Sequence, residues 1–265
     1  MGRVDSEWLR RFAVPGGDSA TAGGTTLVCF PHAGGAASAY VPLARALAPE
    51  VAVLSVQYPG RQDRRHERPL DDIGELADAL AAEVRRGPEG PYAFFGHSMG
   101  AVLAYETARR LREDGRTGPG HLFLSGRRAP ALDPSPHDRL LTDDDVMAAV
   151  RRLGGTTPAV LDDPELREMV MPALRADYRA VGSYGWRPGA PLSVPIGVFV
   201  GDSDPVVTVE QASAWRDFTT APTTLEVFPG GHFYLDRHLP AIARSLTAAL
   251  AAPADGPSAG TGVRS

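Results

Sequence analysis

The sequence predicts an α/β fold in which a mostly parallel central sheet carries helices on both faces. Three observations lead there. The chain has 265 residues, 43% of them apolar and 22% charged, which suits one large soluble domain with a sizeable core. Short apolar, β-branched runs alternate with segments of helical period over the first half. The same alternation resumes after a long helical interruption, as repeated β-α-β units require.

In chain order, the expected strands are 25–30, 51–56, 92–96, 121–125, 196–201 and 224–228. The expected helices between and after them are 38–48, 73–86, 99–113, 209–218 and 240–251. Between Arg127 and Trp186 the alternation stops. There Thr142 followed by Asp143-Asp144-Asp145 reads as a helix N-cap with an acidic first turn, and Gly154-Gly155 ends that helix. A second helix runs from Pro164 to about Val181, with Leu166, Met169, Val170, Leu174, Tyr178 and Val181 on one face. An insertion of this kind, at about 130–186, reads as a lid over the carboxyl edge of the sheet. Residues 1–250 are thus expected to form a single domain, and the Gly-, Pro- and Ser-rich residues 251–265 a disordered tail.

The charge balance excludes some partners. A net charge of −5 gives no electrostatic case for nucleic acid or an anionic membrane. All 27 basic residues are arginine, which reads as coding bias. The single Cys29 sits in an apolar strand and cannot form an internal disulfide, which is compatible with a cytoplasmic protein. We read neither a signal peptide nor a transmembrane segment. No H-x-x-x-H or C-x-x-C spacing points to a metal, and no cofactor is expected.

The chemistry is concentrated in Gly96-His97-Ser98-Met99-Gly100, a G-x-S-x-G motif between a strand and a helix. A nucleophile elbow belongs at such a junction, and its flanking residues must be small because the turn is sharp. A serine hydroxyl is weak alone, so it needs a histidine base and a carboxylate that orients the imidazole. Gly201-Asp202-Ser203-Asp204-Pro205, directly after a strand, offers two acids. Asp204 is the expected orienting residue, because Asp202 sits closer to the strand end and is better placed to cap the loop. Pro229-Gly230-Gly231-His232-Phe233 follows the next strand, and His232 is the expected base. The order Ser, Asp, His is that of an α/β-hydrolase fold.

Phe30-Pro31-His32-Ala33-Gly34-Gly35 occupies the turn that supplies the second oxyanion donor in that fold. The expected oxyanion hole is the backbone N–H of Ala33 with that of Met99, and His32 shapes the loop. His97 is expected to pack beneath the elbow and His121 to start a strand, with His66, His137 and His238 in exposed segments.

Together, the P-H-A-G-G loop, Tyr58-Pro59-Gly60-Arg61, the G-H-S-M-G elbow, G-D-S-D and Gly230-Gly231-His232-Phe233-Tyr234 resemble a type II thioesterase of polyketide and nonribosomal peptide synthesis, from about Trp8 to Leu250. The resemblance implies hydrolysis of acyl thioesters from the phosphopantetheine arm of an acyl or peptidyl carrier protein, removing stalled or aberrant units. It implies the same roles for Ser98, Asp204, His232, Ala33 and Met99, and a lid bounding the acyl pocket. A general carboxylesterase or lipase, an acyltransferase, and an inactive binding protein on the same scaffold are the alternatives. Arg61, Arg64, Arg65, Arg68, Arg127 and Arg128 read either as solvated surface residues or as contacts to the carrier.

Overall fold

The computed structural model describes residues 6–13, 24–88, 90–115, 118–132, 137–140, 142–155 and 162–251. The expected tail lies outside them. Among the described residues, seven strands form one sheet: β1 (Leu9–Arg11), β2 (Thr26–Phe30), β3 (Ala52–Val56), β4 (Tyr92–His97), β5 (Leu122–Ser125), β6 (Ile196–Gly201) and β7 (Thr223–Phe228). Their order is β1-β3-β2-β4-β5-β6-β7, and every pair is parallel except β1 with β3. The mostly parallel sheet of the sequence reading is therefore present. The addition is β1, whose three residues are too few to show a period and which is recruited by pairing Leu9 with Val56.

Strand alternation divides the core in two. Val28, Phe30, Phe94, Leu124 and Val198 point to one face, where α2 (Ile73–Val84) and α3 (Met99–Glu113) cover them. Leu27, Cys29, Phe95, Phe123 and Phe199 point to the other, beneath α1 (Val41–Leu47) and the C-terminal helix. Strands buried on both sides must be apolar at successive positions, which explains why β2 and β4 read as continuous apolar runs.

Two helices differ from expectation at their ends. The segment before α1 begins as a 3-10 turn, Ala37–Tyr40, in place of α-helix from Ser38. The last helix begins at Leu235, not at Pro240, with a kink at His238 (φ −111°, ψ 16°). Pro240 brings no N–H and its ring clashes with the preceding turn, so the ladder breaks there and resumes beyond it.

The interruption after β5 holds α4 (Asp143–Leu153) and α5 (Pro164–Ser183). Thr142 caps α4 with a reciprocal Asp145 contact, and Gly154 closes it at φ 82°. The two helices share a core of their own, in which Val146, Met147 and Val150 meet Met171, Leu174 and Tyr178. Ala33 packs against that small core, so the helical insertion touches the loop after β2. A short helix, α6 (Val209–Ser213), and a 3-10 turn, Ala214–Phe218, link β6 to β7. The C-terminal helix, Leu235–Ala251, is α7.

Candidate active site

β4 runs straight into α3 through one residue. Ser98 has φ 56° and ψ −117°, a conformation costly for any residue with a Cβ. The turn is possible because its neighbours are glycine: a Cβ on Gly96 would lie 2.1 Å from the Gly100 carbonyl oxygen, and one on Gly100 would lie 1.9 Å from that of Phe30. The Ser98 N–H donates to the Ser125 carbonyl (2.8 Å), which ties the elbow to β5. Ser98 itself remains partly exposed, whereas His97 and Met99 on either side are buried.

His232 arrives from the loop after β7, and Asp204 from the loop after β6. Both side chains are almost wholly buried, and the imidazole Nδ1 lies 2.7 Å from Asp204 Oδ2. Oδ1 of Asp204 accepts from the Val206 N–H at 2.9 Å, so the carboxylate is held from both sides. A carboxylate can only accept, so Nδ1 carries the proton and Nε2 is left as the basic nitrogen. Asp202 does something else. Its exposed carboxylate accepts from the Gly230 N–H (2.9 Å) and the Ser203 hydroxyl (2.8 Å), which staples the loop after β6 to the loop that carries His232. Those two bonds, the backbone one foremost, hold its pKa below the ordinary carboxylate value.

The loop after β2 flanks the elbow, because Phe30 registers with Gly96. Ala33 lies at its tip, and Met99, the first residue of α3, contributes an N–H from the helix end where such groups lack an intrahelical acceptor. His32 packs edge-on against Phe233, with ring centroids 4.8 Å apart. Its pKa is lowered to about 4, chiefly by loss of hydration and further by His232 and Arg61, so the ring is neutral near pH 7. His97 is buried, and its pKa is also depressed by desolvation, with His232 and His32 adding to it. Its Nδ1 meets Ser125 Oγ at 2.9 Å, and that hydroxyl meets Tyr234 OH at 2.6 Å. The elbow and the His232 loop are thereby joined beneath the site.

A model of the thioesterase domain matches residues 25–250. The chain belongs to the thioesterase family. It is 46% identical to a probable cadicidin biosynthesis thioesterase of Streptomyces griseus, over 94% of this chain and 68% of that one. It is also 46% identical to the thioesterase PikA5 of Streptomyces venezuelae, over 88% and 82% of the two chains. Among solved structures, the type II thioesterase BorB of the borrelidin biosynthetic cluster superposes with a TM-score of 0.83 at 46% identity, covering 92% of this chain and 98% of that one. The match upholds the type II thioesterase resemblance, the α/β-hydrolase fold and an activity of thioester hydrolysis.

In this thioesterase the arginines are not alike. Arg65 and Arg68 are exposed, but Arg61 and Arg64 are buried, which contradicts a uniformly solvated cluster. Arg64 pairs with Glu67, donates to the Gln57 carbonyl and lies over Trp8. Arg61 pairs with Asp177 of α5. Arg127 forms a two-pronged pair with Asp138, at 2.8 and 2.9 Å. His66 is exposed as expected, whereas His137 and His238 are half-buried, and His238 Nε2 bonds to the Pro229 carbonyl. Asp177 and Tyr234 escaped the sequence reading. The signal for Asp177 was present: it falls on the stripe Val170, Leu174, Val181, where an acid among apolar residues needs a partner. Among the described residues no cluster of His, Cys, Asp or Glu is arranged to hold a metal, and no helix is long and apolar enough to cross a membrane.

Proposed function

We propose that the thioesterase cleaves acyl thioesters carried on the phosphopantetheine arm of acyl or peptidyl carrier proteins, through an acyl-enzyme on Ser98. The observation that carries this reading is the buried 2.7 Å contact between His232 and Asp204, at the same sheet edge as the strained Ser98.

Ser98 Oγ attacks the thioester carbonyl carbon while its proton passes to Nε2 of His232. The ring becomes an imidazolium whose charge Asp204 stabilises. The carbonyl π pair moves onto oxygen, and the N–H groups of Ala33 and Met99 donate to it, each worth on the order of 3 kcal/mol in the transition state. The tetrahedral intermediate collapses by breaking the C–S bond, and the sulfur departs with the proton from His232. A thiol ionises near pH 8.5, so the leaving group needs little assistance. Water then attacks the acyl-serine with His232 as base, releasing the acid and restoring the Ser98 hydroxyl.

A cavity of about 190 Å³ opens between the first turns of α3 and the segment after α5, lined by Val102, Ala129, Val181, Tyr184 and Trp186 among others. Arg127, Arg128 and Asp138 also line it, but its apolar share and the position of Val102 one helical turn past Ser98 make it our choice for the acyl chain. A larger cavity of about 780 Å³, between α2, α3 and the end of α5, is lined by charged side chains including Asp72, Glu106 and Arg109 and includes none of Ser98, Asp204 or His232.

The test compares an acyl-carrier thioester with the matching oxygen ester, alongside Ser98→Ala. We expect a strong preference for the thioester in kcat/KM. Ser98→Ala should lower kcat by at least about 10³-fold and abolish labelling by a fluorophosphonate. Faster hydrolysis of the oxygen ester, or labelling that survives the substitution, refutes the proposal.

A further inference from the structure

The loop expected to supply one oxyanion donor closes on one bond of its own, from the Gly35 N–H to the His32 carbonyl (2.9 Å), and is otherwise tied to other elements. Gly34, next to Ala33, donates its N–H to Asp177 Oδ2 at 2.7 Å. Asp177 belongs to α5, is wholly buried, and receives the Arg61 guanidinium at both oxygens, at 3.0 and 2.8 Å. The same Arg61 donates to the Gly35 carbonyl (3.2 Å) and lies over the Tyr58 ring, whose hydroxyl donates to the Pro31 carbonyl (3.1 Å). Gly34 has φ 76°, and a Cβ there would lie 2.5 Å from Leu174 Cδ2, one turn before Asp177 on the same helix. Apart from the Gly35 N–H bond to the His32 carbonyl and the packing of His32 on Phe233, the turn from Pro31 to Gly35 is fixed by Arg61, Tyr58 and α5.

We propose that Asp177 is a positioning residue for the oxyanion hole, and that the Arg61–Asp177 pair makes α5 a structural part of the catalytic centre. The peptide carrying the Ala33 N–H is oriented by the Gly34 N–H bond that follows it. Turning that peptide by a few tenths of an ångström weakens donation to the oxyanion more than it disturbs substrate binding, since the bond matures only as charge develops. Arg61 is needed for a second reason. A bare carboxylate beside the hole would oppose the developing negative charge, and the two-pronged pair neutralises it.

The inference rests on the oxyanion assignment above, and its test is an acyl-pantetheine trifluoromethyl ketone. This probe adds Ser98 Oγ to its carbonyl and presents the resulting oxyanion to the same donors, whichever ester the enzyme prefers. Asp177→Asn keeps the size but not the charge. We expect kcat per titrated active site to fall tenfold or more with KM within threefold, and the inhibition constant of the ketone to rise in step with the loss in kcat. Simple destabilisation would lower the number of active sites but leave the constant for those remaining unchanged. The paired replacement Arg61→Met with Asp177→Leu removes the buried charges together, leaving no unpaired charge in the interior, and strips Gly34 of its acceptor, so it carries the test if Asp177→Asn fails to fold. It should weaken the ketone by at least tenfold. A ketone affinity within twofold of the parent in a folded variant overturns the inference. So does rapid hydrogen exchange of the Gly34 amide in the unsubstituted enzyme. A parent that binds the ketone but ignores acyl thioesters refutes the proposed substrate and leaves this measurement standing.

Discussion

The contact between Asp204 and His232 determines which imidazole nitrogen is basic. An amide at 204 would present an N–H toward Nδ1 in one orientation and favour the other tautomer, with the proton on Nε2 where the proposed mechanism requires a lone pair. Asp204→Asn should therefore retain its fold and fluorophosphonate-reactive serine while losing on the order of 10⁴-fold in kcat. Steady-state hydrolysis on active-site-titrated enzyme measures it, and a loss below tenfold would show that 204 does not orient the base. The neighbouring Asp202 is the control, because it holds a backbone N–H and a serine hydroxyl and is exposed. These two acids were separable in the sequence by their distance from the strand end. Tyr234 was not, since its role depends on Ser125 lying opposite it, and nothing in the spacing announces that a strand a hundred residues earlier supplies the partner.

At the level of elements, the elbow depends on β2, β4 and α3 approaching so closely that backbone touches backbone. Gly100→Ala places a methyl group 1.9 Å from a strand carbonyl that cannot move without breaking its pairing with β4. We expect at least about 3 kcal/mol of lost stability or outright failure to fold, read from urea unfolding. A loss under 1 kcal/mol would mean that β2 yields. The strands and α2, α3 and α4 were legible because their apolar period, caps and terminal glycines agree. β1 and the kink in α7 were not. The first exists only through its partner β3, and the second arises where Pro240 acts inside a longer helix instead of starting one. The helices after β5 were legible as an interruption of the alternation, but not their contact with the loop after β2, because a helical period reveals a buried face without saying what covers it.

For the whole molecule, three histidines resist protonation in the folded state. The pKa of His32 and that of His121 are both lowered to about 4, mainly by desolvation, and burial depresses that of His97 as well. In the unfolded chain each binds a proton near pH 6.5. Between these values the unfolded state holds more protons, so stability is complete above about pH 6.5 and falls as pH drops toward 4. A gap of that size is worth about 3 kcal/mol for one fully buried group, less for His32 and His121 with their partial exposure. We expect urea unfolding at pH 5 to give at least about 2 kcal/mol less stability than at pH 7. Equal stability at the two values would show that these rings are protonated without cost.

Chain order has a consequence for biosynthesis. The proposed nucleophile lies at the end of β4, in the middle of the sheet, but the residue proposed to activate it follows β7, the edge strand. During translation the ribosome exposes Ser98 long before His232. A nascent chain that ends at β6 contains Ser98 but not the imidazole proposed to take its proton. On the proposed mechanism such half-made polypeptide lacks a base, and hydrolysis begins only after the final strand has been made.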